Sequence, residues 1–422
     1  MAKKSESGEF SFLELDNYLT KNVDERGSIV TDNAYSRIDE YIPSGNYMLN
    51  AQLSGSLFGG YPNSRCVAIA GENSTGKSFL AMNACREAQK MGYNIIYCDS
   101  EGTQDLTTFV NFGVDPSKCR LQPVNTPLEF KSFVANLLKK LKEAKDEGKK
   151  VPKIMIVLDS LGNLATTKER DDAVSASDKK DMTKAGELRS LFRVITSDLC
   201  GAKIPFIFTN HTITNIGSFI PSQSMSGGGG PMYNASTILM LSKAGLKDGN
   251  KEDMKKAEKV GMTKTGIIVT SKPQKSRFAK PIPIKFHISF YRGMNPYVGL
   301  EEYVNWENCG IGIGKLQGQK EFDELTPAEQ KKAQENGQTW TDSEGNFYFA
   351  NLKDTLRNKE VIVKSQNKTY PLSAMFTKQV ITDDILHDID ERIIKPMFAL
   401  TGGVNNEDTF EELIENENED AE

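Results

Sequence analysis

The sequence lacks any apolar run of roughly 18 residues or more, the length a membrane-spanning helix needs, and its opening, MAKKSESGEF, has no apolar signal core. The expectation is a cytoplasmic protein with no membrane partner. Cysteine is sparse and scattered (Cys66, Cys85, Cys98, Cys119, Cys200, Cys309) with no CxxC pair, which argues against a disulfide framework and for buried, reduced thiols. The three histidines lie far apart, which argues against a zinc site. There is no internal repeat.

Net positive charge is also lacking. The chain of 422 residues carries 57 acidic against 52 basic residues, a net −5, which on its face speaks against a nucleic-acid binder. The distribution reverses that reading. From Asn406 onward the sequence NEDTFEELIENENEDAE holds nine acids and no Lys or Arg. Without it, 52 basic residues face 48 acidic ones and the body stands at +4. Residues 405–422 are expected to be a disordered acidic tail, whose Phe410, Leu413 and Ile414 offer a short docking helix, on a mildly basic body.

A hydrophobic content of 38% supports a true core, and the length allows two or three domains. Residues 1–55 are assigned to an N-terminal oligomerisation segment, because Phe12, Leu15 and Leu19 fall at helical spacing in a stretch too short to fold alone. Residues 56–300 alternate apolar runs with helical stripes. The runs are 65–70, NIIYCD (94–99), IMIVLD (154–159), IPFIFT (204–209), 237–241 and 267–270. Near-continuous apolar strands separated by helices predict an α/β fold, a mostly parallel sheet covered on both faces. Ile282, Ile284, Phe286, Ile288 and Phe290 alternate with polar residues or Pro and predict a half-exposed strand at the sheet's end. Residues 301–404 read as a small C-terminal α+β domain. The lysine-rich stretch 247–264 reads as a mobile surface loop.

Gly71-Glu72-Asn73-Ser74-Thr75-Gly76-Lys77-Ser78 matches GxxxxGK[ST] between a strand and a helix. Loop amides and the helix N-terminus suit the phosphates of ATP, and Phe79 completes this nucleotide-binding segment. Lys77 is expected to reach the β- and γ-phosphates, and the Ser78 hydroxyl to hold Mg²⁺. Asp159, ending its strand, is a second candidate for the Mg²⁺ shell. Glu101, after the strand ending in Asp99, is placed to activate a water attacking the γ-phosphate.

The order IPSGNYMLNAQLSGSLFGG, GENSTGKS, YCDSEG, VLDSLGNLA, FTNH, GGGGPMYNAS resembles the RecA/Rad51 recombinases, and is most similar to their UvsX branch in tailed phages. The likeness covers residues 40–300 well and the remainder loosely. It implies a RecA-like P-loop core and a DNA-dependent ATPase. Such an enzyme forms helical homo-oligomeric filaments on single-stranded DNA and exchanges strands with double-stranded DNA in recombination, repair and replication. A single-strand-binding protein, a recombination mediator and a helicase are implied partners, and a phage origin would place the protein in the host bacterial cytoplasm. By the same likeness Glu101 is the catalytic glutamate, Asp159 the metal-shell carboxylate, and His211 the γ-phosphate sensor, where the family usually has Gln. Lys275 and Arg277 would act on the neighbouring subunit's γ-phosphate. Asp105 would contact adenine. The family's stacking Tyr falls near Thr108, which cannot stack, with Phe109 one residue away.

Two loops are the DNA-binding candidates. The first, 166–184, carries Lys168, Arg170, Lys179 and Lys180 among several acids. The second, 215–231, has no Lys or Arg. It offers the amides of Gly227, Gly228, Gly229 and Gly230 to phosphates, and Phe219, Ile220 and Met225 as wedges between bases, contacts that are blind to sequence. A hexameric helicase of the same fold, and a DNA-assembling scaffold without strand exchange, remain alternatives.

Overall fold

A computed structural model describes residues 11–24, 26–28, 35, 37–174, 183–215, 222–246, 251–353 and 358–400. Nine strands form its main sheet: β1 Cys66–Gly71, β2 Asn94–Asp99, β3 Cys119–Pro123, β4 Ile154–Asp159, β5 Phe206–Asn210, β6 Thr237–Leu246, β7 Gly266–Lys275, β8 Ile284–Ser289 and β9 Gly293–Met294. Their spatial order is β9-β8-β7-β6-β1-β5-β4-β2-β3. From β6 across to β3 every pairing is parallel. From β6 to β9 every pairing is antiparallel.

The apolar runs are continuous because both faces are covered. In β4, Met155 and Val157 join one core cluster while Ile156 and Leu158 join the other. Helices α1 Phe12–Asn22, α2 Tyr47–Ser54, α3 Lys77–Lys90, α4 Pro127–Asp146, α5 Lys184–Gly201, α6 Gly229–Asn234 and α7 Lys251–Lys259 are set around this frame. On the first face α2 and α3 pack Leu49, Leu53, Leu80 and Ala84. On the second, α4 and α5 pack Phe130, Val134, Leu188 and Phe192 against Phe206 and Phe208. In β8 only alternate residues (Ile284, Phe286, Ile288) are buried, as its sequence pattern predicts.

Two expectations are corrected, and one strand goes unannounced. The division at residue 55 follows a helix that belongs to the core. Residues Met48 to Leu53 of α2 are all buried, and Gln52 donates to Ser271 O and Ile282 O while accepting from Ser271 Oγ. Within 247–264, a stretch of helix replaces the expected loop. Its Asp253 is buried and takes Arg292 Nε at 3.0 Å, and Ala257 is also buried. A narrow buried face, Asp253 and Ala257, anchored by Arg292 pairing with both Asp253 and Glu252, is what a count of lysines hides. Finally, β3 is an edge strand that no apolar run announces, since its residues are half-buried or exposed.

The C-terminal segment builds a second, five-stranded antiparallel sheet in the order Thr339–Thr341, Phe347–Asn351, Ile311–Gln317, Glu360–Val363, Lys368–Tyr370. It is not insulated from the first. Ile311, Val361, Val363, Leu386, Ile389 and Phe398 share the cluster that holds Leu49 and Leu53. Asp390, buried in a π turn, accepts from Ser56 Oγ at 2.6 Å and from Leu57 N at 2.7 Å, which fixes the terminal helix to the segment just after α2. At the other end of the chain α1 is closed by a Ser11–Glu14 capping box yet buries no residue, and Phe12, Tyr18 and Val23 are 71%, 59% and 69% exposed. Among the described residues no helix is long and apolar enough to cross a membrane.

Candidate nucleotide and DNA site

Parallel register brings the chemistry to one edge of the sheet. Asp99 lies beside Asp159, and Ala70 beside Asn210, so the ends of β1, β2, β4 and β5 open on the same side. Between β1 and α3 the loop Glu72–Gly76 turns with Gly76 at φ +95°, a conformation that suits only glycine, and a Cβ there would meet Ile288 Cδ1 at 2.7 Å. A Cβ on Gly71 would meet Leu241 O at 2.7 Å. The loop is braced by Thr75 Oγ1 donating to Glu72 O at 2.9 Å.

Lys77 Nζ donates to Gly71 O at 3.0 Å and to Glu72 O at 2.9 Å. Burial lowers its pKa, partly offset by the negative charges of Asp159 and Glu101. Asp159 is itself buried, held by the hydroxyls of Tyr97 (2.7 Å) and Thr209. A hydroxyl at the helix start (Ser78), a strand-end carboxylate (Asp159) and a glycine cradle form the donor set that Mg²⁺ and a triphosphate require, the metal taking its other ligands from phosphate and water. The residues fit both.

Glu101 is aimed by its neighbours. Asp99 accepts the N–H groups of Glu101 (2.9 Å), Gly102 (2.9 Å) and Gln104 (3.1 Å), which folds the turn after β2. Glu101 Oε1 then accepts from Ser160 Oγ at 2.8 Å, and His211 Nε2 stands 3.6 Å from the same oxygen. His211 roots a hairpin, Thr212–Asn215 paired with Ser222–Met225. Asn210 clamps that root through Ser226, with Nδ2 donating to Ser226 O and Oδ1 accepting from Ser226 Oγ, both at 2.8 Å. Gly162 makes room, since a Cβ there would lie 2.9 Å from both Asn210 Oδ1 and His211 Cδ2.

Sequence reasoning missed Asp99 as a positioning residue, Ser160, and two contacts to the phosphate loop. Lys243, two residues past Leu241 on β6, donates to Asn73 O at 2.7 Å. Gln223 Nε2 in the hairpin donates to Glu72 Oε1 at 2.9 Å. Ser160 was available as the residue after Asp159. The other two depend on strand order.

Lys275 and Arg277 are not brought to this edge. Lys275 is registered with Ile238 at the start of β6, whereas Gly71 is registered with Leu241 farther along. Its Nζ donates to Met232 O and Tyr233 O at 3.0 and 2.8 Å. Burial and Arg277 lower its pKa. Asp105 caps its own short helix, accepting Thr108 N at 2.8 Å. Phe109 is buried edge-on to Tyr97 and is not a stacking surface, whereas Phe79 is half-buried against Phe112.

In the first loop, Lys168 is exposed on a helix spanning Thr167–Val174, and Arg170 pairs with Glu129 at 3.1 Å. Lys179, Lys180, Phe219, Ile220 and the acidic tail lie outside the described residues. Met225, expected as a wedge, is instead buried in the core cluster under the hairpin. The glycine run also divides. Gly227 and Gly228 take positive φ, but a Cβ on Gly230 would sit 2.7 Å from Arg189 Cα, so this glycine serves the close packing of α6 on α5.

A phosphate loop at the end of a central parallel strand, with helices on both faces, defines the chain as a P-loop α/β protein. The RecA N-terminal domain family matches residues 19–282. The "Recombination and repair protein" of Enterobacteria phage T4 is 33% identical over 258 residues, 60% of each chain. Protein RecA of Mesoplasma florum is 24% identical over 254 residues, 60% of this chain and 68% of that one. Protein RecA of Thermotoga petrophila is 28% identical over 212 residues, 50% and 55% of the two. The chain belongs to the RecA family. It spans three-fifths of the length of its phage T4 relative.

Proposed function

We propose that this protein is an ATP-dependent recombinase that assembles as a helical filament on single-stranded DNA and pairs it with homologous duplex. The observation that carries the reading is the meeting of Glu101 with His211, because it joins the hydrolytic edge of the sheet to the root of the glycine-rich hairpin. In this scheme Lys77 holds the β- and γ-phosphate oxygens and Glu101 takes the proton of the attacking water. Ser78 and Asp159 would hold Mg²⁺, which when bound would supply positive charge against the phosphates. Loss of the γ-phosphate alters what Glu101 and His211 face, and the hairpin beyond His211 responds. ATP thereby selects the DNA-competent state and hydrolysis releases it.

Filament formation supplies the rest. Within one chain Lys275 lies toward the opposite end of the sheet from the phosphate loop, so Lys275 and Arg277 act on a nucleotide only across a subunit boundary. Among the described residues nothing buries Phe12, Leu13, Tyr18 or Leu19 of α1, as a segment that docks on a neighbour requires. "Recombination and repair" in the phage T4 relative's name supports the same reading. Acidic residues 405–422 are proposed to tune access to the basic body.

Hydrolysis of ATP, measured with and without single-stranded DNA, tests the proposal. A steep rise with DNA, and helical filaments by electron microscopy with a non-hydrolysable ATP analogue, are the expected results. A rate indifferent to DNA, or discrete rings, would sink it.

A further inference from the structure

Both tryptophans of the chain lie together, Trp306 opening the short helix Trp306–Cys309 and Trp340 on a strand of the C-terminal sheet, far in sequence from the phosphate loop. Their ring centroids are 6.0 Å apart, and Trp340 continues the row by stacking on Tyr348 at 5.4 Å and 15°. Lys364 Nζ stands over both indoles, at 5.8 Å from Trp306 and 5.6 Å from Trp340, within the range of a cation–π contact. Each indole N–H is already spent, on Asn336 O at 3.0 Å and on Asn367 Oδ1 at 2.7 Å. Trp306 lies close over Gly312, where a Cβ would come within 3.1 Å of its Cε3. The rings are therefore fixed before any ligand arrives.

Trp306 and Lys364 open onto a cleft of about 500 Å³, a size typical of small-molecule sites. Its lining mixes apolar and polar groups, and it carries the Glu307 carboxylate as well as the Lys364 ammonium. Trp306 and Cys309 are the apolar side chains, and Asn336, Ser365 and the backbone at Gly337 supply donors and acceptors. An apolar peptide anchor would find one indole and little else. A nucleobase would find a π surface to stack on, amide groups for its edge, and an ammonium for its phosphate. Lys364 spends one donor on Gly337 O at 2.9 Å and keeps two.

We infer that this cleft is a binding site for an unpaired nucleobase with its phosphate, presented by a single strand or by a free nucleotide. It stands apart from the ATP edge and does not depend on the recombinase reading. Stacking on a fixed indole discriminates little among bases, so the site is expected to be sequence-tolerant.

Because the chain has two tryptophans and both are here, the emission of the full-length protein reports on the site directly. The probes are a thymidylate trinucleotide, thymidine monophosphate, and an abasic trimer with the same phosphates. The trinucleotide should quench tryptophan emission saturably and the abasic trimer should not. Quenching by the monophosphate at equal base concentration identifies a free nucleotide as the ligand, and quenching by the trinucleotide alone identifies a strand. Lys364→Ala should weaken the trinucleotide about tenfold and Lys364→Arg should restore it, which separates loss of charge from loss of fold. Trp306→Phe keeps a ring to stack on and should retain binding with a smaller change in emission. If neither base-bearing probe alters emission while the anisotropy of a long labelled oligonucleotide shows DNA bound elsewhere, the site does not exist. If the trinucleotide quenches but the long oligonucleotide gives no ATPase stimulation, this site stands and the recombinase reading falls.

Discussion

Asp99→Asn isolates how Glu101 is aimed. The Asp99 carboxylate is buried and accepts three backbone N–H groups, of Glu101 and Gly102 on Oδ1 and of Gln104 on Oδ2. Asparagine is nearly the same size, but it places an amide nitrogen at one of these oxygens. In the milder orientation Oδ1 still serves Glu101 and Gly102, and the new Nδ2 confronts the Gln104 N–H. One charge-assisted bond is lost and a buried donor is orphaned, which costs about 2 kcal/mol. If that loss appears as misplacement of Glu101, turnover falls about 30-fold. A displacement near 1 Å carries it to about 100-fold. The phosphate loop is untouched, so ATP affinity should change little. The assay pairs the turnover of ATP on single-stranded DNA with the binding of a fluorescent ATP analogue and a thermal melt. Full turnover in a folded Asp99→Asn protein would refute the claim that this turn positions the glutamate.

Other outcomes follow from the same geometry. Glu101→Gln should abolish turnover while filaments still assemble with ATP and DNA, as seen by electron microscopy. Gly230→Ala drives a Cβ into the Arg189 backbone at 2.7 Å and should cost about 1–3 kcal/mol in denaturant unfolding. Gly186→Ala, on the same α5, meets nothing within 4 Å and should stabilise by about 0.5–1 kcal/mol. Gln223→Ala and Glu72→Ala should each reduce DNA stimulation of ATP hydrolysis, and a double-mutant cycle should find them coupled by about 0.5–1.5 kcal/mol, since one hydrogen bond joins them. Strict additivity would break that link. Asp390→Ala leaves the Ser56 hydroxyl and the Leu57 N–H without their acceptor and should loosen the terminal helix, detected as faster hydrogen exchange across 383–398.

Local sequence determined a good deal. IMIVLD predicted β4 to the residue, because a strand buried on both faces must be apolar throughout. GENSTGKS predicted the phosphate loop, because only glycine suits φ +95° at position 76 and only a helix start offers free amides. Alternation from Ile282 to Phe290 predicted a strand with one face open, and the strand holds over Ile284–Ser289, leaving Phe290 exposed beyond it. Each signal lies within one element, where neighbours in sequence are neighbours in space.

Tertiary structure decided what those signals could not. Met225 looked like an exposed wedge and is core, because the hairpin folds back on the second face of the sheet. Gly230 looked like one of four equivalent glycines and is the contact between two helices. Within the lysine-rich stretch, Lys251–Lys259 forms a helix whose buried Asp253 finds Arg292, 39 residues on. Lys243, Gln223, Ser160 and His211 converge on the phosphate loop and Glu101 from three separate segments. The sheet's crossovers set that meeting, and no spacing along the chain encodes it. The charge pattern marked a basic body and an acidic end. Which side chains sit within reach of one another was fixed by strand order and by the burial that holds the strands together.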